Sequence, residues 1–253
     1  MNKNIIYTFS FFLILLVSAN SIVYAQDAKQ IMIDAEQKLR GMSSKGEMKM
    51  TIQRPNWSRE IGVKFWTKGE AYSLMLLTAP ARDKGTSFLK RDKEIWNWQP
   101  SIDRTVKLPP SMMMQSWMGS DFTNDDLVKS SSIINDYAHN YLGEEEVIGR
   151  PCHIIELIPH EDAAVVWGKV KTWVDKALLL QLKTEFYDED EYLINTLLSE
   201  NIKEMGGRTI PTKLTIIPAE DEEQKTIVEY IDIDFNADIQ DAFFSIQNMK
   251  RVQ

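Results

Sequence analysis

The feature that most constrains this chain is a long succession of strand-length hydrophobic patterns separated by turn signals and not by long helices. In Lys45 to Gln53, Met48, Met50 and Ile52 alternate with Glu47, Lys49 and Thr51. In Arg59 to Thr67, Ile61, Val63 and Phe65 share one face. A period of two predicts a strand with one buried and one wet face. Arg54-Pro55-Asn56 between the two runs is a turn signal. Further strands are predicted at Tyr72 to Thr78, Ser87 to Lys90, Glu94 to Gln99 and Arg104 to Leu108. The second half continues with Tyr141 to Ile148, Cys152 to Pro159, Gly168 to Asp175, Leu178 to Tyr187, Tyr192 to Glu204, Thr212 to Ile217 and Thr226 to Phe235. Turns fall at Gly149-Arg150-Pro151, Asp188 to Asp190, Gly206-Gly207 and Pro218 to Glu223. Strands that follow one another this closely pair antiparallel, because a parallel pair needs a long crossover. About eleven or more such strands with few helices predict a mainly β fold, with one highly curved antiparallel sheet or an open barrel.

Two strands carry finer expectations. Tyr72 to Thr78 reads Tyr-Ser-Leu-Met-Leu-Leu-Thr, apolar on both faces. It needs apolar material on each side, such as a helix on one and a second core or cavity on the other. In the last strand, alternation puts Ile227, Ile231, Ile233 and Phe235 on one face, with Asp232 and Asp234 on the other.

Composition narrows the class. The chain has 253 residues, 43% hydrophobic and 26% charged, with 11 Gly and 9 Pro, which excludes general disorder and a collagen-like repeat. A formal net charge of -8 argues against a nucleic-acid surface. One cysteine, Cys152, permits neither an internal disulfide nor a multi-cysteine metal cluster.

The N-terminus reads as an address. Lys3 precedes an apolar run from Ile5 to Val17, followed by small residues and Val23-Tyr24-Ala25. This is the pattern of a secretory signal peptide cleaved after Ala25. The organisation expected is therefore 1–25 signal peptide and 26–253 a single exported domain, periplasmic in location. Asp27 to Met42 then reads as a helix, with Ala28, Ile31, Met32, Ala35 and Leu39 on one stripe and Gly41 at its end.

Pro109 to Ser132 departs from the strand pattern. Four of the chain's 12 methionines fall between Met112 and Met118, beside Trp117. Methionine fills irregular apolar space, so the segment suits either a lid over a hydrophobic cavity or a permanent core plug. Thr123 with Asp126 three residues later resembles a capping box and starts a short helix.

Candidate chemistry is sparse. His153, Glu156, His160 and Asp162 match no strong metal-ligand spacing, and no cofactor is expected. Cys152 lacks the context of a nucleophile. Asp121, Asp125 and Asp126 are better explained by helix capping than by catalysis. Trp96 and Trp98 sit at alternate strand positions and point the same way, into a cavity or over the outside of a core.

Several blocks together resemble a known family. They are Lys84-Gly85-Thr86-Ser87-Phe88-Leu89, Ile95-Trp96-Asn97-Trp98-Gln99-Pro100, Arg104 to Pro109 and Gly119 to Leu127. Val174-Asp175-Lys176, Lys183 to Tyr187, Gly206 to Leu214 and Phe243-Phe244 follow in order. The chain resembles the outer-membrane lipoprotein-sorting proteins, the LolA-like periplasmic carriers. It is similar to the broader LolA-like group, some of whose members accompany RND-type exporters. The resemblance implies a LolA/LolB-like half-barrel wrapped around helices, with an apolar cavity for acyl chains.

On this basis the expected protein is no enzyme. It is a carrier or chaperone that binds the acyl chains of a lipoprotein or lipid, touches membranes transiently, and passes its cargo towards the outer membrane. The alternative is an accessory protein that docks to an RND-type exporter, an inner-membrane transporter, without carrying lipid. Burying about fifteen methylenes offers roughly 12 kcal/mol gross, enough to hold a lipid in water. The residues expected to form the cavity or its lid are Met75, Leu77, Trp96, Trp98, Met112, Met113, Met114, Trp117, Met118 and Phe122.

Overall fold

A computed structural model describes residues 28–92, 94–128, 132–163 and 165–252. The signal sequence expected at 1–25, and Asp27, lie outside the described residues. A helix, α1, covers residues 28–40. Six strands follow: β1 (Ser43–Arg54), β2 (Trp57–Lys68), β3 (Tyr72–Ala79), β4 (Ser87–Arg91), β5 (Glu94–Gln99) and β6 (Arg104–Lys107). After a connection containing α2 (Asn124–Val128) come β7 (Tyr137–Val147), β8 (Arg150–Pro159), β9 (Lys169–Asp175) and β10 (Gln181–Tyr187). The chain ends with β11 (Leu193–Met205), β12 (Arg208–Pro218), β13 (Lys225–Phe235) and a short α3 (Ile246–Met249).

All 13 strands form one sheet in the order β6-β5-β4-β3-β2-β1-β13-β12-β11-β10-β9-β8-β7. Every pairing is antiparallel. The β1–β13 ladder joins two meanders, and the sheet ends at β6 and β7 without closing into a barrel. This is the predicted mainly β, open architecture.

The order has a geometric consequence. β6 and β7 are consecutive in sequence but lie at opposite ends of the sheet. Their connection, residues 108–136, must therefore cross the open side as a strap. At about 4.8 Å per strand, β4 and β10 would sit about 34 Å apart in a flat sheet. Both nevertheless line one cavity, so the sheet is wrapped around it.

The inner face carries the main core. Met48, Met50, Ile52, Ile61, Val63, Phe65, Leu77, Ile216 and Val228 pack with Trp117 and Phe122 of the strap. Helix α1 lays Ala28, Met32 and Ala35 against Ile155, Leu157, Val170 and Val174 of β8 and β9. Arg208 donates to the carbonyls of Gln37 and Lys38 at the C-terminal end of α1, where cations and donors are favoured.

β3 is covered on both faces, as its sequence requires. Met75 and Leu77 join the inner core, whereas Leu74 packs with Leu89, Trp98, Ile239, Phe244 and Met249 on the other side. The cover there is the C-terminal segment, held by Ser87 Oγ donating to Met249 O (2.7 Å) and by Tyr72 stacked on Phe244 (5.2 Å).

Two pattern readings need correction. Ile231 does not share the buried face of Ile233; it is 61% exposed, while Thr226 and Val228 are buried. The cause is a β-bulge. Glu47 pairs with Asp232 but Met48 pairs with Tyr230, so Ile231 is the extra residue and the facing switches there. Gly46 permits the close approach at this point, since a Cβ would lie 2.2 Å from the Asp232 carbonyl oxygen. The strand predicted from Leu178 begins only at Gln181; Leu178 to Leu180 belong to a turn in which Asp175 Oδ1 accepts from the backbone N–H of Ala177 (3.0 Å) and of Leu178.

Candidate functional site

A cavity of about 400 Å³ lies inside the wrapped sheet. Its lining includes Glu36, Leu39 and Arg40 in the C-terminal part of α1 and the exposed Gly69 and Glu70 of the β2–β3 turn. Its walls come from α1, β1–β4, β7, β9–β13, Trp167 just before β9 and the second part of the strap. On β1, Ser44 and Met48 line it, but Met50 and Ile52 do not. On β2 the liners are Phe65 and Thr67, not Ile61 or Val63, and on β3 Met75, not Leu77. β12 supplies Leu214 and not Ile216. The hollow thus stops at a common level across the sheet. Beyond that level Ile52, Ile61, Leu77, Ile216 and Trp117 are fully buried and solid.

The stop is made by the strap. Its turn is closed by a bridge between Ser116 and Thr123 and by Trp117 N–H donating to Phe122 O (2.8 Å). Gly119 takes φ +80 within it, a conformation that L side chains rarely adopt. Phe122 faces the cavity, and Trp117 packs behind it at 5.4 Å from the Phe88 ring. Trp117 Nε1 has no hydrogen-bond partner among the described residues.

The turn is clamped to the far rim of the sheet. Arg54, at the end of β1, donates to both Asp121 oxygens and to Gly119 O (3.1 Å). Thr226 Oγ1, at the start of β13, donates to Asp121 Oδ2 (2.7 Å) and accepts from Asp121 N–H (3.0 Å). The expected capping box is formed: Thr123 N–H donates to Asp126 Oδ2 (2.8 Å) and Asp126 N–H to Thr123 Oγ1 (3.0 Å).

The ten residues expected from sequence are dispersed. Met75 and Phe122 line the cavity. Leu77 and Trp117 lie in the core beneath its floor, with Met118 packed against that core. Trp96 and Trp98 point to the opposite face of the sheet, under the C-terminal segment. Met113 packs with Ile95, Leu108 and Val166, Met112 is half-buried, and Met114 is 69% exposed.

Much of the apolar wall comes from residues not anticipated: Leu39, Val170, Phe186, Leu197, Leu214, Val228, Tyr230 and Ile233. Their strands were legible, but period two gives two faces without saying which is concave. The usable signal was pairing: Tyr230 lies opposite Met48, and Leu214 opposite Val228.

Polar groups border the apolar wall. Arg40 and Glu36 of α1 form an ion pair (3.2 Å), and buried Lys90 donates to Glu70 O (2.6 Å). Burial pushes the Glu36 carboxyl up despite Arg40. Burial also raises Asp126, against the lowering effect of donors from Thr123 and from Trp167 Nε1 (2.9 Å). Tyr230 is raised by burial alone, so its hydroxyl stays protonated. An apolar hollow with a polar border can sequester a hydrocarbon chain and leave its head near water.

Solved structures share this unclosed antiparallel fold. A LolA superfamily protein from Nitrosomonas europaea matches with a TM-score of 0.75 at 22% identity, over 87% of this chain and 98% of that one. A provisionally assigned outer membrane lipoprotein-sorting protein domain from Vibrio parahaemolyticus matches with a TM-score of 0.81 at 23% identity, over 90% and 100%. A DUF1329 family protein from Desulfovibrio piger gives 0.82 at 22% identity, over 89% and 99%. At these identities the likeness is one of fold. No curated protein matches the chain. A family model described as "Uncharacterized protein" matches residues 69–251, and the chain belongs to that family.

Proposed function

We propose that this protein is a non-enzymatic periplasmic carrier that takes up an acyl chain of a lipoprotein or lipid and hands it on towards the outer membrane. The observation that carries this reading is the cavity itself: a mainly apolar hollow of about 400 Å³ inside the wrapped sheet. Ligand pockets run from about 300 to 1,000 Å³, so the space is adequate for a hydrocarbon chain. The LolA superfamily fold supports the same reading. Each buried methylene contributes about 0.8 kcal/mol, so release needs an apolar acceptor and not dilution alone.

Protein denatured, freed of lipid and refolded is expected to bind a fluorescent fatty acid saturably. Leu197→Asp, which puts a charge on the cavity wall, is expected to weaken binding at least tenfold, while Met114→Asp on the exposed part of the strap leaves it unchanged. Saturable binding that ignores Leu197→Asp, or no binding by the wild-type protein, would sink the proposal. Cell fractionation tests the location: a cytoplasmic pool with an intact N-terminal segment contradicts it.

A further inference from the structure

Along β1–β3 the cavity lining stops at Met48, Phe65 and Met75, and Phe122 of the strap lines it where the solid core begins. We propose that Phe122, backed by Trp117, is a chain-length gauge that limits the protein to a single acyl chain, bound with its methyl end against the Phe122 ring. The inference rests on the carrier reading and adds to it the ligand class and the residue that selects it.

Three observations meet here. The first is size. At about 30 Å³ per methylene, comparable to a water molecule in the liquid, about 400 Å³ holds roughly thirteen carbons. That is one chain and not the several chains of a fully acylated lipoprotein. The second is polarity. The lining combines polar Ser44, Thr67, Glu70 and Lys90 near the β2–β3 turn with apolar Met48, Phe65 and Met75 farther along β1–β3, and Asp125 and Asp126 of α2 also line it. Along β1–β3 an amphiphile therefore lies with its head near the turn and its tail towards Phe122. The third is rigidity at the far end. Phe122 and Trp117 are tied together across a tight turn, and that turn is clamped by Asp121 to Arg54 and Thr226. A floor fixed at both its own turn and the sheet does not retreat before a growing chain.

The test is a competition series in which saturated fatty acids of about eight to about twenty carbons displace a fluorescent fatty acid. For the wild-type protein, affinity is expected to rise roughly fourfold per methylene until the floor is reached, then level off near thirteen carbons. Phe122→Ala removes six carbons from the floor and is expected to move the plateau by two to four carbons, with longer acids gaining affinity. Phe122→Leu, a milder change, is expected to give a smaller shift in the same direction. The readout is a gain of binding, which a misfolded variant does not produce. A plateau that stays in place while both variants bind the short acids normally overturns the gauge and leaves the carrier reading standing. Failure of the wild-type protein to bind any acid overturns the carrier reading and the gauge with it.

Discussion

Arg54 and Asp121 meet fork to fork across the open side of the sheet, Nη1 donating to Oδ2 at 3.0 Å and Nη2 to Oδ1 at 2.9 Å. Their side chains are only 14% and 8% exposed, so neither charge is well solvated. Together with Thr226, this pair anchors the turn of the strap to the rim of β1 and β13. Removing one partner leaves the other buried and uncompensated, at a cost of about 3 kcal/mol. Arg54→Leu and Asp121→Asn are each expected to lower the urea midpoint by a corresponding amount. The double variant is expected to cost clearly less than the sum, because both singles break one interaction. Additive losses would show that the two residues act independently.

Acid should weaken the fold in a defined window. Burial, followed by the nearby Lys29 charge, lowers the His139 imidazole to about 4 from its ordinary 6.5. Between those values the unfolded chain binds a proton that the folded chain refuses. The contribution of His139 is therefore fully present above 6.5 and is lost as the pH falls towards 4. Glu36 and Asp126 act with the opposite sign, since carboxyls raised by burial ionise more readily in the unfolded chain. Urea melts from neutral pH down to pH 4 are expected to show stability falling by up to about 1.4 kcal/mol per unit from His139. His139→Gln is expected to flatten that slope. An unchanged slope in the variant would assign the acid sensitivity to other groups.

The β13 bulge gives a sharp pair of substitutions. Plain alternation put Ile231 in the core; the structure puts Val228 there and turns Ile231 to solvent. Ile231→Lys is expected to change stability by no more than about 0.5 kcal/mol. Val228→Lys places an unpaired charge in the wall and is expected to cost more than about 3 kcal/mol. Equal effects would mean that the strand keeps a single alternation through residue 231.

These contrasts show where the sequence was legible. Alternation at Met48, Met50 and Ile52, and at Ile61, Val63 and Phe65, identifies strands because half-buried strands demand it. Antiparallel order followed from turns without intervening helices. Apolar residues on both faces of Tyr72–Thr78 anticipated two cores, and Thr123 with Asp126 anticipated the cap. What alternation does not encode is which face is concave. That depends on the curl of the whole sheet and on which segment returns to cover the outside. Trp96 and Trp98 share a face, but only the return of Phe244 and Met249 determines that it is the convex one. The Arg54–Asp121 clamp was hidden for a related reason. Sixty-seven residues separate its partners, and their meeting depends on the strap crossing between β6 and β7.

The two faces also separate stability from binding. Trp98 is buried against Leu74, Leu89 and Phe244, on the side of the sheet away from the cavity. Trp98→Ala deletes a large side chain from this outer core and is expected to cost about 3–5 kcal/mol. It leaves Met48, Phe65 and Tyr230 in place around the hollow, so the folded fraction should bind a fluorescent fatty acid with wild-type affinity. Tyr230→Ala is expected to do the reverse in emphasis, weakening binding several-fold, since Tyr230 is half-buried and lines the cavity. Both variants can be compared at a temperature well below their melting points, with the folded fraction measured by near-ultraviolet circular dichroism. If Trp98→Ala abolishes binding while fully folded, the ligand lies on the convex face beneath the C-terminal segment, and the interior hollow is not the site.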